Sequence, residues 1–249
     1  MRVTVVIPTY NERSNIEKIV PLIFSLLKEV SIVVVDDNSL DKTASAVLKL
    51  QKNYSNLHLI ARRKKTGRGS AVLEGFKYAF QKIKTDIFIE MDADLSHDPN
   101  ELPRLVKMSN PRTVILASRY LPESKILDWP IIRVLSSKIA NFLIGAVLDL
   151  PVIDNTNGYR CYQKEAIKIL LTYNFVSRGY ILLSESEKIL YDRGFELIEI
   201  PTIFRNRIRG ESKASISEFF YSLYLLFKIR LYSKLRSKQI NNSRNLINS

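Results

Sequence analysis

Residues 86–97 read Asp-Ile-Phe-Ile-Glu-Met-Asp-Ala-Asp-Leu-Ser-His, and this stretch decides the fold. A strand-like run, 86–91, stops on two carboxylates, Asp92 and Asp94, one residue apart. Paired carboxylates where a buried strand ends suit a hard divalent cation that bridges to a substrate's phosphates. Two upstream runs end in the same manner, 3–7 in Pro8-Thr9-Tyr10-Asn11-Glu12 and 32–35 in Asp36-Asp37. Three apolar runs ending in ligand-ready residues place those groups along one edge of a parallel sheet, where open α/β proteins bind ligands.

Outward from that stretch, short β-branched runs alternate with helical periodicity. The pattern predicts strands at 3–7, 32–35, 57–61, 87–91 and 114–117. Between them it predicts helices at 14–28 (Ile16, Ile19, Val20, Ile23 and Leu27 on one face, capped by Ser14 or Asn11), from an Asp41 cap to about 52, at 69–83, and at 98–108 with Pro99 in the first turn. Such βαβ units imply an α/β fold with a mostly parallel, twisted sheet covered by helices on both faces. After Ser118 the alternation loosens into helices at 130–148, 164–171 and 183–193 and strands at 158–162 and 195–200, the last stopped by Pro201. An aromatic-rich helix at 217–236 reads as a core, dimer or membrane-surface element, and the polar residues 239–249 as a disordered tail. No internal repeat or domain linker is visible.

With 249 residues, 46% of them hydrophobic, the chain can bury a full core. Its one cysteine, Cys161, leaves no internal disulfide or multi-Cys zinc site and fits a reducing compartment. Two histidines, His58 and His97, argue against His-based metal or triad chemistry. Nothing like a basic-then-apolar leader precedes the first strand, so cytoplasmic synthesis is expected. The longest uncharged apolar stretch, 139–148, has about half of the ~20 residues a spanning helix needs. Membrane contact is therefore expected to be peripheral.

The net charge of +13 calls for an anionic partner. Arg62, Arg63, Lys64, Lys65 and Arg68 form one cluster, and Arg205, Arg207, Arg209 and Lys213 another; beyond Glu218 there are six basic residues and no acidic one. Charge alone leaves nucleic acid, phosphorylated small molecules and an anionic membrane surface open. Acidic motifs at strand ends would oppose nucleic acid, which is not expected as a partner. Gly67-Arg68-Gly69 before a helix offers backbone amides to an anion but matches neither a Walker loop nor a complete dinucleotide fingerprint. A metal-held diphosphate without a hydrolase's parts points to transfer of a group away from a nucleotide diphosphate.

Four segments together carry a resemblance: 5–12 (Val-Val-Ile-Pro-Thr-Tyr-Asn-Glu), 34–43 with Asp36, Asp37, Asn38, Ser39, Asp41 and Thr43, Gly67-x-Gly69-x-Ala71-x-x-x-Gly75, and 91–97. In order and spacing they resemble the family 2, GT-A fold glycosyltransferases. Ser118-Arg119-Tyr120, Asn157-Gly158-Tyr159-Arg160, Arg178-Gly179-Tyr180 and Arg207-x-x-Gly210-Glu211-Ser212-Lys213 resemble more narrowly the dolichol-phosphate mannose synthases. The resemblance implies a catalytic domain over 1–215, with 216–238 an amphipathic helix and 239–249 a tail. It also implies inverting transfer of a hexose, mannose from GDP-mannose, to a dolichyl or polyprenyl phosphate. Pro8, Tyr10, Glu12, Asp37 and Asp92 would hold the nucleotide sugar, with Arg207 and Lys213 meeting its diphosphate from a loop. Asp94, with Ser96 nearby, would ligate Mg²⁺ or Mn²⁺; Arg119, Arg133 and Ser137 would grip the acceptor phosphate.

The residues agree with this chemistry in one respect. A hydroxyl acceptor usually needs a general base, whereas a phosphate monoester is already an anionic nucleophile. The site then needs cations for two mutually repelling anions, which suits many basic side chains beside few titratable ones. The chain departs from the resemblance at Leu182 and Leu183, where relatives often carry a glutamine, and at Arg68, where a leucine or similar residue is usual. Membrane contact would be interfacial or supplied by a small membrane-anchoring subunit. The rival readings are UDP-glucose as donor, a metal-dependent nucleotidyltransferase, and a non-catalytic sugar-nucleotide-binding protein.

Overall fold

The computed structural model describes residues 1–177, 179–206, 221–233 and 235. Arg178, the whole of 207–220 with Arg207 and Lys213, parts of the expected 217–236 helix and the expected 239–249 tail lie outside the described residues. Seven strands form one sheet in the order β3-β2-β1-β4-β7-β5-β8: β1 (Val3–Thr9), β2 (Val30–Asp36), β3 (Leu57–Ala61), β4 (Ile87–Glu90), β5 (Thr113–Ser118), β7 (Arg160–Gln163) and β8 (Glu196–Pro201). All neighbours run parallel except β7, which is antiparallel to both β4 and β5. A second small sheet pairs β6 (Lys125–Leu127) with β9 (Ile203–Arg205); the sequence reading did not foresee it.

Alternation along the strands sorts side chains to two faces. Val3, Val5 and Ile7 of β1 and Ile32 and Val34 of β2 pack with Ile16, Ile19, Val20 and Ile23 of α1 (Arg13–Leu26), Val47 of α2 (Thr43–Leu50) and Leu102 and Leu105 of α4 (Leu102–Met108). Val6, Val33 and Val35 face the other way, onto Ala71, Val72, Phe76 and Ala79 of α3 (Arg68–Lys82). That second layer is completed by α6 (Lys164–Leu171), α7 (Ile181–Asp192), the end of α5 (Ile131–Leu148), and Leu226 and Ile229 of α8 (residues 221–233). Gly75 lets α3 approach the sheet: a Cβ there would lie 2.3 Å from Val6 Cγ1.

Local expectations are corrected at three places. Neither Ser14 nor Asn11 caps α1. Its first amides turn instead to the next loop, Arg13 N donating to Asp41 Oδ2 (2.9 Å) and Glu12 N to Thr43 Oγ1 (3.0 Å). Asp41 also accepts from Thr43 N (3.0 Å), so one carboxylate serves the starts of two helices and fixes β1's outgoing loop against β2's. The 98–108 helix begins as a single 3-10 turn, Pro99–Glu101, before α4.

The third correction concerns α5. Its 18 residues are long and apolar enough to cross a membrane by length and composition, contrary to the reading from uncharged runs, which Lys138 had cut short. Asn141, Ile144 and Leu148 are buried against the domain. Ile131, Ile132, Leu135, Ile139 and Phe142, at helical spacing on the other side, are 52–87% exposed.

Candidate active site

The ends of β1, β2 and β4 lie side by side, joined by Asp37 N donating to Thr9 O (2.9 Å) and Met91 N to Val6 O (3.1 Å). Above them opens a cleft of about 390 Å³, lined among others by Pro8, Tyr10, Glu12, Asp37, Lys65, Arg68, Asp92, Asp94 and Tyr180. Six of the sequence-predicted residues thus share one cavity. Lys65 Nζ sits 3.7 Å from the centre of the half-exposed Tyr10 ring, and Glu12 Oε2 accepts from Asn15 Nδ2 (2.6 Å).

Asp37 lines the cleft, where the resemblance expects a nucleotide contact, and also braces the cleft's wall. It is 4% exposed, and its Oδ2 accepts the backbone amides of Thr66 (3.2 Å) and Gly67 (3.0 Å). Arg62 Nη1 lies 2.7 Å from Oδ1, close enough for an ion pair although off the angle of a good hydrogen bond. Asp37 therefore shapes the 62–67 loop that walls the cleft. Ser96 is displaced from expectation. It is buried, and its amide (3.0 Å) and hydroxyl (2.5 Å) both donate to Asp94 Oδ1, so it stands behind that carboxylate and orients it.

Asp92 and Asp94 form an oxygen-only, half-buried donor set at the cleft's edge, the chemistry Mg²⁺ and Mn²⁺ prefer. Among the described residues no three His, Cys, Asp or Glu side chains gather to hold a metal. The carboxylate pair fits a cation whose coordination is completed by substrate oxygens, the arrangement usual for Mg²⁺ on phosphates.

His97, quoted within the motif but given no role from sequence, holds this loop. Its Nδ1 accepts the Asp92 amide (3.1 Å), which leaves the proton on Nε2 to be donated to Asn157 Oδ1 (2.8 Å). The ring stacks on Tyr159 at 5.0 Å. Burial pushes its pKa below the ordinary histidine range, against the pull of nearby Asp92 and Asp94. A neutral ring with both nitrogens committed is a scaffold, not a base. Cys161 is equally inert, its thiol pushed by burial up to about 12.

Of the predicted acceptor-side residues, Arg119 and Arg133 lie against Trp129 and Ser137 meets Tyr120. Arg133 lies 4.0 Å over the Trp129 ring and donates to Asn206 Oδ1 (2.8 Å). Ser137 Oγ, one helical turn on, accepts from Tyr120 OH (2.6 Å). Arg119 is held otherwise than expected. It is 8% exposed and clamps Asp154 through Nε (2.8 Å) and Nη2 (2.7 Å), with Thr156 Oγ1 at 2.6 Å. Tyr120, Trp129 and Phe204 enclose the guanidinium at 5.3–5.5 Å. Burial raises the cost of the Asp154 carboxylate, and Arg119 outweighs it, so the acid's pKa falls. Arg119 is thus the support on which Trp129 and Arg133 rest. Sequence gave no hint of Asp154, which is 35 positions away.

A sheet edge of this kind, with a carboxylate pair at a strand's end and a walled cleft above it, is what a GT-A nucleotide-sugar transferase presents to its donor. Residues 4–171 match the family model described as glycosyl transferase family 2, and the chain belongs to that family; it is a glycosyltransferase. The chain is 35% identical over 216 residues to the polyprenol monophosphomannose synthase of Mycolicibacterium smegmatis, covering 86% of this chain and 81% of that protein. It is 35% identical over 238 residues to the dolichol-phosphate mannosyltransferase of Pyrococcus furiosus, covering 92% of this chain and 64% of that longer protein. It is 31% identical over 215 residues to the undecaprenyl-phosphate mannosyltransferase of Micrococcus luteus, covering 86% of this chain and 88% of that one. Among solved structures, the glucosyl-3-phosphoglycerate synthase of Mycobacterium tuberculosis with Mn²⁺, UDP and phosphoglyceric acid superposes with a TM-score of 0.65 at 18% identity, over 93% of this chain and 78% of that one. The likeness confirms the fold.

Removing one member of a buried, hydrogen-bonded ion pair leaves an uncompensated charge and costs about 3–5 kcal/mol. Asp154→Ala should therefore lower unfolding free energy by about that amount in urea titration; a midpoint equal to wild type would show that Arg119 is not structurally committed.

Proposed function

We propose that the chain transfers mannose from GDP-mannose to the phosphate of a dolichol or polyprenol, with Mg²⁺ or Mn²⁺ at the donor diphosphate, on the cytoplasmic face of a membrane. The observation that carries this reading is one loop, residues 154–158, which ties a carboxylate-lined donor cleft to a separate acceptor-side cation. Asp154 holds Arg119, Asn157 holds His97 behind Asp92, and Gly158 O receives Arg68 from the cleft (2.9 Å). The mannosyl and polyprenyl-phosphate terms in the relatives' names support the choice of sugar and acceptor, and the Mn²⁺ and UDP bound to the structural neighbour support a metal-held diphosphate.

Asp94 would hold a divalent cation, which would supply positive charge to the leaving diphosphate. The chain's own groups do the rest. Pro8, Tyr10 and Glu12 line the nucleotide end of the cleft and Asp92 the sugar end. Lys65 stands over Tyr10 beside the same cleft, and Arg207 and Lys213, outside the described residues, are assigned to the diphosphate. Arg133, backed by Trp129 and Asn206, receives the acceptor phosphate, with Ser137 on the same helix face. That phosphate is anionic at neutral pH and attacks the anomeric carbon without a base, giving inversion; His97, the one histidine near the site, is already fully engaged.

The membrane assignment rests on two exposed apolar stripes. One is the Ile131–Leu135–Ile139–Phe142 face of α5. The other is Tyr221, Tyr224, Phe227 and Leu231 of α8, each 56–62% exposed, beside Lys228 and Arg230. Arg230 donates to the Ala146 and Val147 carbonyls at the end of α5, joining the two helices. Because its Asn141–Ile144–Leu148 side is packed on the domain, α5 lies along the bilayer surface with Arg133 near the headgroups.

Ligand at about 100 times its Kd stabilises the native state by about 2.7 kcal/mol. In a thermal-shift comparison with Mn²⁺, GDP and GDP-mannose should raise Tm by several degrees and UDP-glucose should not; the reverse ranking would replace the donor. Asp94→Ala should lower turnover by at least about a hundredfold, and retained activity would remove Asp94 from the metal. Ile139→Glu with Phe142→Glu should abolish co-flotation with phosphatidylglycerol vesicles while leaving GDP binding intact; undiminished flotation would exclude the α5 face.

A further inference from the structure

Among the described residues that line the donor cleft, all come from positions 8–94 except Gly179 and Tyr180. These two stand just before α7, and the start of that helix is firmly anchored. Ser184 Oγ donates to Asn155 O (2.9 Å), and Leu183 O accepts from Arg160 Nη1 (2.8 Å), so α7 is tied to the 154–158 loop. Glu185, one position on, is fully buried and turns back toward the residues that lead into its own helix. Its Oε1 accepts Val176 N (2.8 Å), and its Oε2 accepts Ser177 N (2.8 Å) and the Ser177 hydroxyl. One carboxylate thus binds two backbone amides that α7 itself cannot satisfy.

The same segment is pressed onto the start of α3. Gly179 has φ +69°, and its carbonyl oxygen would lie 2.9 Å from a Cβ on Gly69, with Leu182 Cβ at 3.2 Å. Glycine at 69 lets the two backbones meet this closely, and glycine at 179 takes the left-handed turn without strain. The contact sets Gly179 and Tyr180 beside Arg68, the neighbour of Gly69, whose Nε donates to Asp92 Oδ1 (2.6 Å). Tyr180 remains exposed, so its place in the cleft is set by the backbone on either side of it.

A general base needs a free lone pair within reach of the proton it takes. Glu185 is an acid close to the cleft, yet its oxygens face amides and a hydroxyl inside the protein. We infer that Glu185 is a positioning residue that sets Gly179 and Tyr180 as the wall against which the donor's hexose is held, acting on the sugar and not on the nucleotide. The inference rests on the donor-cleft reading above. It adds what the downstream half of the chain contributes to the sugar end.

The test compares GDP with GDP-mannose on Glu185→Gln, in which an NH₂ group replaces one accepting oxygen and confronts a donor. For GDP-mannose, kcat/KM should fall about tenfold, mainly through KM, short of the hundredfold that about 1 Å of misplacement can cost. The Kd for GDP should stay within about twofold of wild type. Tyr180→Ala should show the same split, and adding Glu185→Gln to it should cost little more, because two residues acting through one wall are not additive. Ser177→Ala, which leaves both amides on the carboxylate, should move the donor KM in the same direction by less, and it carries the test if Glu185→Gln melts below assay temperature. Unchanged donor KM, equal loss of GDP and GDP-mannose, or full additivity with Tyr180→Ala overturns the inference. If wild-type protein binds UDP and UDP-glucose in place of the guanosine pair, the choice of donor falls, and the same comparison on the uridine pair still decides the role of Glu185.

Discussion

The Asp154–Arg119 pair, buried and held by two charge-assisted hydrogen bonds, is the contact on which the rest of the site depends. Asp154 also accepts the Asn157 amide (3.2 Å), and Asn157 Nδ2 donates to Ala117 O (2.6 Å) at the end of β5. The loop between α5 and β7 is thereby nailed to a central strand. From it Asn157 reaches His97 and Gly158 reaches Arg68. Charged pairs at this depth give little net stability compared with apolar packing; here the pair fixes a loop conformation on which both halves of the site are built.

That construction explains the charge distribution. The proposed donor cleft is lined by Glu12, Asp37, Asp92 and Asp94, and Arg68, paired with Asp92 and the buried Glu90, and Lys65 balance them. The proposed acceptor side gathers cations and aromatics around Trp129, with Arg133 on the same helix, α5, as the exposed apolar face. An amphiphile with a phosphate head would meet Arg133 while its chain stayed against that face. On the proposed reading, the excess of positive charge would serve substrate and surface alike.

Much of this was legible in the sequence. β3 and α6 run over the residues that periodicity assigned to them, because a compact β-branched run and an amphipathic helix each carry their own signal. The carboxylate pair and the β1 loop were legible as well, since ligand groups at strand ends need only local reading. Long-range pairing was not. The antiparallel insertion of β7 between β4 and β5 depends on the direction from which the chain returns, and β6 and β9 are too short for periodicity to register. Arg119, Asp37 and Ser96 were assigned to ligands through the resemblance, which carries no information on the contacts they also make with Asp154, Arg62 and Asp94. For α5, counting uncharged residues hid a helix whose lysine and arginine interrupt the run but not its exposed stripe.

The central claim is that the nucleophile arrives already charged, so the protein supplies cations and geometry and no base. The most direct measurement is transfer of radiolabelled mannose from its nucleotide to two acceptors of equal chain length, a polyprenyl phosphate and the corresponding free prenol, presented in the same vesicles. The account predicts product from the phosphate alone, with rate falling as pH drops through its second ionisation near about 6. Comparable mannosylation of the neutral alcohol would contradict it.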